Sequence, residues 1–417
     1  MVLIRPLTAS DSEDEYLDLR LRSFGPADEE RVLADARAAI ASGSCLAAFD
    51  DGRLIGAGLF FDLRQWWLGK AVPLGGVAGV KIAPEYRGKG VGSALMKAII
   101  ASMTERGYLL SALYPATSPI YRRLGWERAG RTYLTAVPSR SLTGLARPAG
   151  SGQVPASGSG PVPVLRRPGS GDAAEVLAVL GRAHELARDG GPVTFDEQTV
   201  RRWLTGGRWA GKLHYAYLAD DGFLAYSWHG GRNEMIVDKL VAVSPETTSA
   251  LWSVVASNAS IAATIRVQSA PADPLWWLLR EQDAEPAGEY WWMLRVLDAR
   301  AAIAARGFPV IDIEVPLDIA DDQVPANNGS CTLVIRSGIG SLVPAAVPAA
   351  VPAALVPAAR GAAGRPLRLG ARGLAALYAG TPVATLRAAG LAAGGSAGSD
   401  AALDSAFAAT AYMLDTF

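Results

Sequence analysis

The sequence predicts two mixed α/β domains in tandem, followed by a smaller α+β module. Three observations carry this. Strand and helix signals that end near Arg140 recur in much the same order from about Val162 to Arg306. Between the two runs, "TGLARPAGSGQVPASGSGPVPVLRRPGSGD" is rich in Gly, Pro and Ser and reads as a linker. From Gly307 onward the order changes, with strands first and helices last. The predicted boundaries are residues 1–143, a linker at 144–161, a second domain at 162–306 and a third at 307–417.

The elements follow from periodicity and punctuation. "MVLIRPLTAS" reads as a strand, and "EDEYLDLRLRSF" and "ADEERVLADARAAIA" carry apolar residues at helical spacing. The stretch from Ser44 to Pro84 is a set of strands broken by the turn Asp50-Asp51-Gly52. A helix follows from about Gly90, then a strand in "YLLSALYPA", a short helix in "SPIYRRLG" and a last strand in "WERAGRTYLTAVP". In the second run, "DAAEVLAVLGRAHELA" and "EQTVRRWLTG" are helices, and "KLHYAYLADDGFLAYSWHG" is a hairpin turning at Asp220-Asp221-Gly222. "NEMIVDKLVAV" is a strand and "PETTSALWSVVASN" a helix. The third run opens with the strands "VIDIEVPL" and "SCTLVIRS". It closes with the helices "GARGLAALYAG", "TPVATLRAAG" and "DAALDSAFAAT" and the tail "AYMLDTF".

Composition narrows the class. A chain of 417 residues, half of them hydrophobic, has ample material for packed cores, and a formal net charge of zero gives no electrostatic footprint for nucleic acid or a membrane surface. Cys45 and Cys331 lie too far apart for a disulfide framework or a zinc spacing and read as buried thiols of a reducing cytosol. The first residues contain no apolar run of the signal-peptide kind, so a cytoplasmic location is expected. The stretch between Arg336 and Arg360 lacks charge, but Pro344, Pro348, Pro352 and Pro357 make it a poor membrane helix. It reads as a surface insertion. His184, His214 and His229 show no mutual ligand spacing, so no metal is expected.

One short stretch carries chemistry. Arg87-Gly88-Lys89-Gly90-Val91-Gly92 sits between the strand "VAGVKIAP" and the helix "SALMKAIIASM". A Gly-rich first turn leaves helix N–H groups bare, with a favourable dipole, and two basic side chains add charge. That combination reads as a phosphate cradle. It lacks the Gly-Lys-Ser/Thr ending of a P-loop and the spacing of a dinucleotide loop. The second run has no such loop: after "VDKLVAV" comes Ser-Pro-Glu.

The order Arg, two residues, Gly, one residue, Gly resembles the signature of the GNAT N-acetyltransferases. With "VAGVKIAPEYRGKGVGSALM", "SPIYRRLGW", "DPLWWLL" and the ending "DAALDSAFAATAYMLDTF", nearly the whole chain resembles the Eis-type acetyltransferases. The resemblance implies tandem GNAT-like domains, the second degenerate, and a sterol-carrier-protein-like third domain. It also implies a homohexamer that acetylates amines, aminoglycosides being the acceptor class. Arg87, Gly88, Lys89, Gly90, Gly92 and Ser93 would hold the pyrophosphate of acetyl-CoA. The backbone of Val80 and Ile82 would pair with its pantetheine arm. Ser118 would touch the coenzyme or cap its own helix, capping being the preferred reading. Tyr121 would protonate the leaving thiolate, and the carboxylate of Phe417 would take the proton of the amine.

Several residues keep two readings. Phe24, Trp66 and Trp67 are candidates to line an amine pocket, with core or interface packing as the other reading of Trp66 and Trp67. Asp28, Glu29 and Glu30 attract a polycation or form a solvated helix face. Trp276, Trp277, Trp291 and Trp292 read as packing of the second domain. Two rival functions use the same features: a protein lysine acetyltransferase, and a lipid- or acyl-CoA-binding protein without turnover.

Overall fold

The structure, a computed structural model, describes residues 2–146, 163–205, 208–209, 212–229, 233–345 and 365–417. Most of the Gly/Pro/Ser linker and most of the Pro/Ala tract lie outside the described residues. The chain forms two compact units. One holds Met1–Phe61, Lys70–Ala129 and Trp292–Ala409; the other holds Asp62–Gly69, Gly130–Trp291 and Thr410–Phe417.

The first unit opens with strand β1 (Leu3–Pro6) and helices α1 (Glu13–Phe24) and α2 (Glu29–Ala41). Ser12 accepts the Glu15 N–H and Asp28 accepts the Arg31 N–H, so each helix starts at a side-chain cap with acidic residues in its first turn. Asp28 is thus a cap. Strands β2 (Cys45–Asp50), β3 (Arg53–Trp67) and β4 (Lys70–Ile82) follow, then helix α3 (Val91–Glu105), strand β5 (Leu110–Leu113), helix α4 (Ser118–Arg123) and the start of β6 (Glu127–Pro138). The sheet order is β1-β2-β3-β4-β5. Two apolar clusters cover its faces. Leu95, Met96, Ile99 and Met103 of α3 pack with Phe60, Val77 and Leu113. Tyr16, Leu19, Ala36 and Ala39 of α1 and α2 pack with Cys45, Ala47, Ile55 and Ala57.

The segment Trp292–Ala409 belongs to the same unit. Met293–Val296 pairs antiparallel with β5. A separate five-stranded sheet runs in the order Ile339–Pro344, Gly329–Arg336, Ile313–Ala320, Leu367–Gly370, Ala392–Gly394. Helices Ala371–Tyr378, Val383–Ala388 and Ala397–Phe407 accompany it. Arg306 lies buried among the rings of Phe308, Tyr378 and Phe407, and donates to the Tyr378 carbonyl at 2.5 Å. Burial lowers its pKa to about 10. The expected insertion from Arg336 onward needs correction at its start. Ile339–Pro344 is a strand paired with Gly329–Arg336, because Ser337 and Gly338, both at positive φ, close a tight hairpin.

The second unit repeats the strand–helix–hairpin order. Strands Tyr215–Ala219, Gly222–His229, Glu234–Ala242 and Thr264–Ser269 lie side by side, and Thr264–Ser269 pairs antiparallel with Tyr133–Pro138 of β6. Helix Pro245–Ala256 seals one apolar cluster through Leu251, Trp252 and Val255, against Leu224, Met235, Val237 and Ile265.

One turn in the first unit has no room for a side chain. Gly125 closes α4 at φ +94°, and a Cβ there would overlap the Arg295 guanidinium. Arg295 is fully buried and held at 2.7 Å by Asp321, so it has nowhere to go. Gly125→Ala should lower unfolding stability by about 2–4 kcal/mol through strain at positive φ and a displaced buried ion pair. Chemical unfolding checks this, and an unchanged midpoint would mean that the turn is not constrained.

Candidate active site

The site begins with two strands that part. Parallel pairing of β4 with β5 covers only Leu74–Val77 against Leu110–Leu113. Beyond it β5 ends and β4 continues, through Gly79 at φ +58°, to Ile82. The Ala83 N–H donates to the Ile55 carbonyl at 2.8 Å, toward β3. Strand alternation turns the polar groups of Lys81 the same way and those of Val80 and Ile82 toward the opposite edge, where β5 has stopped. The two residues singled out in the sequence therefore offer backbone groups to an extended ligand. Their side chains pack against the α3 cluster.

The loop after β4 presents bare N–H groups. Pro84–Tyr86 forms one turn of 3₁₀ helix, fixed by the Tyr86 hydroxyl donating to Asp50 at 3.0 Å. Arg87 donates back to the Ile82 carbonyl at 3.3 Å, and Lys89 lies 5.1 Å from the Tyr86 ring centroid. Gly90 caps α3 at φ +84° with no side-chain hydrogen bond, and Gly88 stands at φ +76°. Apart from adjoining backbone, no described heavy atom comes within 4 Å of where a Cβ would sit on either glycine. Ala94 N–H is bonded to the Gly90 carbonyl, which leaves the first-turn N–H groups of Val91, Gly92 and Ser93 without an intrahelical acceptor. Exposed Arg87 and Lys89 beside this positive helix end fit a pyrophosphate. Gly92 has a second reason to be glycine. Its Cβ would meet Ile120 at 3.3 Å and Ile82 at 3.5 Å, so the missing side chain seats α3 against both β4 and α4. Glu85, next to the loop, faces Arg22 at 3.4 Å and Arg53 at 3.6 Å.

Helix α4 carries Tyr121. Ser118 is its first residue and Thr117 its N-cap, with no side-chain cap bond, so the expected capping by Ser118 is corrected. Pro119 in the first turn has no N–H, which leaves one fewer donor there for a cap to answer. Tyr121 is buried and meets Trp126 edge to face at 6.2 Å. Burial raises its pKa, so the phenol stays protonated through neutral pH. Buried Glu127 accepts from Arg122 at 2.7 Å and from Arg372 at 2.7 Å, which fixes the end of α4.

The sequence reading missed Lys81. Val80-Lys81-Ile82 looks like an exposed lysine between buried neighbours, yet α1 covers that face. Lys81 is 3% exposed, 3.7 Å from the Tyr16 ring centroid, and donates to the Gly79 carbonyl at 3.3 Å. Burial lowers its pKa to about 7, with Arg20 adding to the effect and Cys45 opposing it.

The second unit lacks such a bare helix start for a visible reason. At the matching strand-to-helix turn, Ser244 accepts the Thr247 N–H, Pro245 has no N–H, and Asp221 takes the Ser244 N–H at 3.0 Å. Three of the four N–H positions at this helix start are thereby answered internally or lack the N–H. Phe417 belongs to this unit, and the residues of the loop, β4 edge and α4 belong to the first. Trp67 is buried and donates to Gln65, whereas Phe24 is exposed and Trp66 donates to Thr194. His184 and His214 each pair with a carboxylate, Asp189 at 2.6 Å and Asp238 at 2.7 Å. Among the described residues no group of three His, Cys, Asp or Glu side chains is placed to hold a metal ion. No helix among them is long and apolar enough to cross a membrane.

Comparison with known proteins matches these parts. The acetyltransferase (GNAT) domain profile fits residues 3–129, a second acetyltransferase (GNAT) profile fits 194–296, and a sterol carrier protein domain fits 299–414. A crystal structure of a GCN5-related N-acetyltransferase from Kribbella flavida is 40% identical, with a TM-score of 0.85 over 100% of this chain and 98% of that one. Eis1 from Mycobacterium abscessus shares the fold at 21% identity, with a TM-score of 0.73 over the whole of both chains. An uncharacterized N-acetyltransferase of Streptomyces griseus is 28% identical over 67% of this chain and 70% of its own length.

The buried lysine has a measurable consequence. A folded-state pKa of about 7 means that the unfolded chain binds more protons than the fold from about pH 7 upward. Stability should therefore rise between pH 6 and pH 8, below the range where Cys45, raised by burial to about 11, and Tyr16 oppose it. Lys81→Met should flatten that slope and stabilise the protein at pH 6 by about 1–4 kcal/mol, because each tenfold loss of proton affinity on folding costs about 1.4 kcal/mol. Chemical unfolding of both proteins at the two pH values tests this, and parallel slopes would show that Lys81 keeps its proton in the fold.

Proposed function

The chain belongs to the GCN5-related N-acetyltransferase family, and from that premise we propose an Eis-type enzyme that moves the acetyl group of acetyl-CoA to amines of the aminoglycoside or polyamine class. The observation that carries this reading is the parting of β4 from β5 beside the uncapped start of α3. The first supplies an unpaired backbone edge for an amide-rich arm, and the second supplies N–H groups and charge for a pyrophosphate.

The roles follow from the chemistry each group can do. Arg87, Gly88, Lys89, Gly90, Gly92 and Ser93 anchor the phosphates. Val80 and Ile82 align the pantetheine, and the Val80 N–H polarises the thioester carbonyl as a neutral amine attacks it. Tyr121, protonated at neutral pH, gives its proton to the departing thiolate. The Phe417 carboxylate, directly or through water, takes the proton of the amine. An α-carboxyl of ordinary pKa ~3.5 needs desolvation for that task. The enzyme is proposed to work in the cytoplasm as a homohexamer, and a monomer by light scattering would remove the assembly from the proposal.

Gly90→Asp puts a carboxylate where the phosphates approach and should weaken acetyl-CoA binding at least tenfold, or ~1.4 kcal/mol. Gly90→Asn, a residue that tolerates left-handed backbone, separates charge from strain. Calorimetry should also give one acetyl-CoA per chain, since the second unit caps its own helix end. Undiminished binding by the folded Asp variant would discard the loop as the cradle, and two equivalents per chain would discard the silent second unit.

Tyr121→Phe keeps the ring, removes the acid, and should slow turnover by about 10²-fold or more with acetyl-CoA affinity intact. Residues appended after Phe417 should slow turnover comparably, whereas an N-terminal tag should not. Release of coenzyme A with aminoglycosides and with lysine peptides is the readout. Full activity in the extended protein would reject the terminal carboxylate. Activity on peptides alone would turn the reading to a protein lysine acetyltransferase.

A further inference from the structure

The second unit contains a strand divergence like that of β4 and β5, but part of the chain already sits at it. Strand Glu234–Ala242 runs parallel to Thr264–Ser269 and pairs with it only from Met235 to Val237. It then continues to Ala242, paired on its other edge with Gly222–His229. Lys239, two residues past the shared pairing, is 1% exposed, and its ammonium is bound by the carboxylate of Asp415, 2% exposed.

Asp415 lies in the segment Thr410–Phe417, which is fastened along its length. The Arg131 N–H donates to the Ala411 carbonyl at 3.4 Å, and the Met413 N–H donates to the Arg131 carbonyl at 3.1 Å. Pairing of β6 with Thr264–Ser269 begins at Tyr133, so the segment takes over the β6 edge where that strand ends. The Tyr412 N–H donates to the Gly190 carbonyl at 3.0 Å, and its hydroxyl to Asp189 at 2.6 Å. Asp189 is held in turn by His184 at 2.6 Å. Ala411, Tyr412, Met413 and Leu414 are all buried.

We infer that the second unit is a docking site for the chain's own segment Thr410–Phe417, which occupies the strand divergence there, with Lys239 as the positioning residue that locks Asp415. Apolar burial of Ala411 to Leu414 is non-directional and does not by itself choose a register. The backbone bonds to Arg131 and Gly190 do, and two side-chain contacts reinforce them. Tyr412 with Asp189 fixes one end of the segment, and Lys239 with Asp415 fixes the other, where a register slip would strand a buried charge. A domain proposed above to bind no coenzyme thereby acquires a task. The docking stands on this geometry alone. Its catalytic consequence, a held Phe417 carboxylate, rests on the reading proposed above.

Hydrogen exchange followed by mass spectrometry on the whole protein separates the two. In the wild type, the peptide holding the Tyr412 and Met413 amides should exchange at least about 100-fold more slowly than an unstructured peptide. Exchange at the unstructured rate would overturn the docking. Asp415→Asn should speed exchange of that peptide about tenfold or more, while peptides of Val91–Glu105 and acetyl-CoA affinity stay unchanged. Unaltered protection in the folded variant would overturn the lock. If that variant does not fold, Tyr412→Phe, which loses only the hydroxyl bond to Asp189, carries the same expectation. Turnover adds a split: kcat should fall with the KM for acetyl-CoA unmoved. A loosened segment with undiminished kcat would support the docking and reject the Phe417 carboxylate as the base.

Discussion

Backbone pairing between β4 and β5 stops at Val77 and Leu113, and the arrangement of the site depends on that stop. A sheet satisfies its polar groups by continuing, so an interior strand left bare on one edge is costly unless something else pairs with it. Gly79 at φ +58° starts the departure, and Lys81, buried under α1, holds the Gly79 carbonyl. Val80 and Ile82 then turn their N–H and C=O groups to an edge that β5 no longer pairs, the Ile82 carbonyl accepting from the Arg87 side chain. The loop and α3 follow within a few residues, which brings the positive helix end to the mouth of the same gap.

Glycine serves this site in two physically distinct ways. Gly88 and Gly90 adopt positive φ in open surroundings, so they are needed for backbone conformation and for close approach from outside. Gly92 faces inward, and its missing Cβ lets Ile82 and Ile120 meet the first turn of α3. That contact ties the three stretches singled out in the sequence, the strand edge, the loop and the tyrosine helix, into one rigid group. Gly125 then closes α4 over buried Arg295, so the position of Tyr121 is set from both ends of its helix.

The two GNAT domains differ sharply at one turn. Both have parallel strands that part and a helix that follows. In one the helix starts at a glycine with bare N–H groups, and in the other at Ser244 and Pro245, with the Ser244 side chain taking the Thr247 N–H and Asp221 the Ser244 N–H. On the reading proposed above, the bare turn is what the coenzyme phosphates need, and the fold itself does not supply it.

Local patterns carried much of the architecture. The helical spacing of "EDEYLDLRLRSF" coincides with α1, the glycine turn marks the start of α3, and Pro119 and Gly125 bracket α4. These signals are set by residues a few positions apart, which is the range over which backbone dihedrals and caps act. Tertiary structure alone decided what depends on distant partners. Lys81 sits in an alternation that reads as exposed, and only the placement of α1 buries it. Ile339–Pro344 looks like the start of a proline-rich insertion until Gly329–Arg336 supplies its ladder. The grouping of Trp292–Ala409 with the N-terminal strands, and of Thr410–Phe417 with the other unit, leaves no local trace. Lys239 and Asp415 are 176 positions apart, and a lysine or an aspartate read alone is taken for surface. The sequence by itself carried most of the helices, many of the strands and the glycine turn before α3. Which charges are taken out of water, and what each bare strand edge pairs with, depends on surfaces that exist only once the chain has folded.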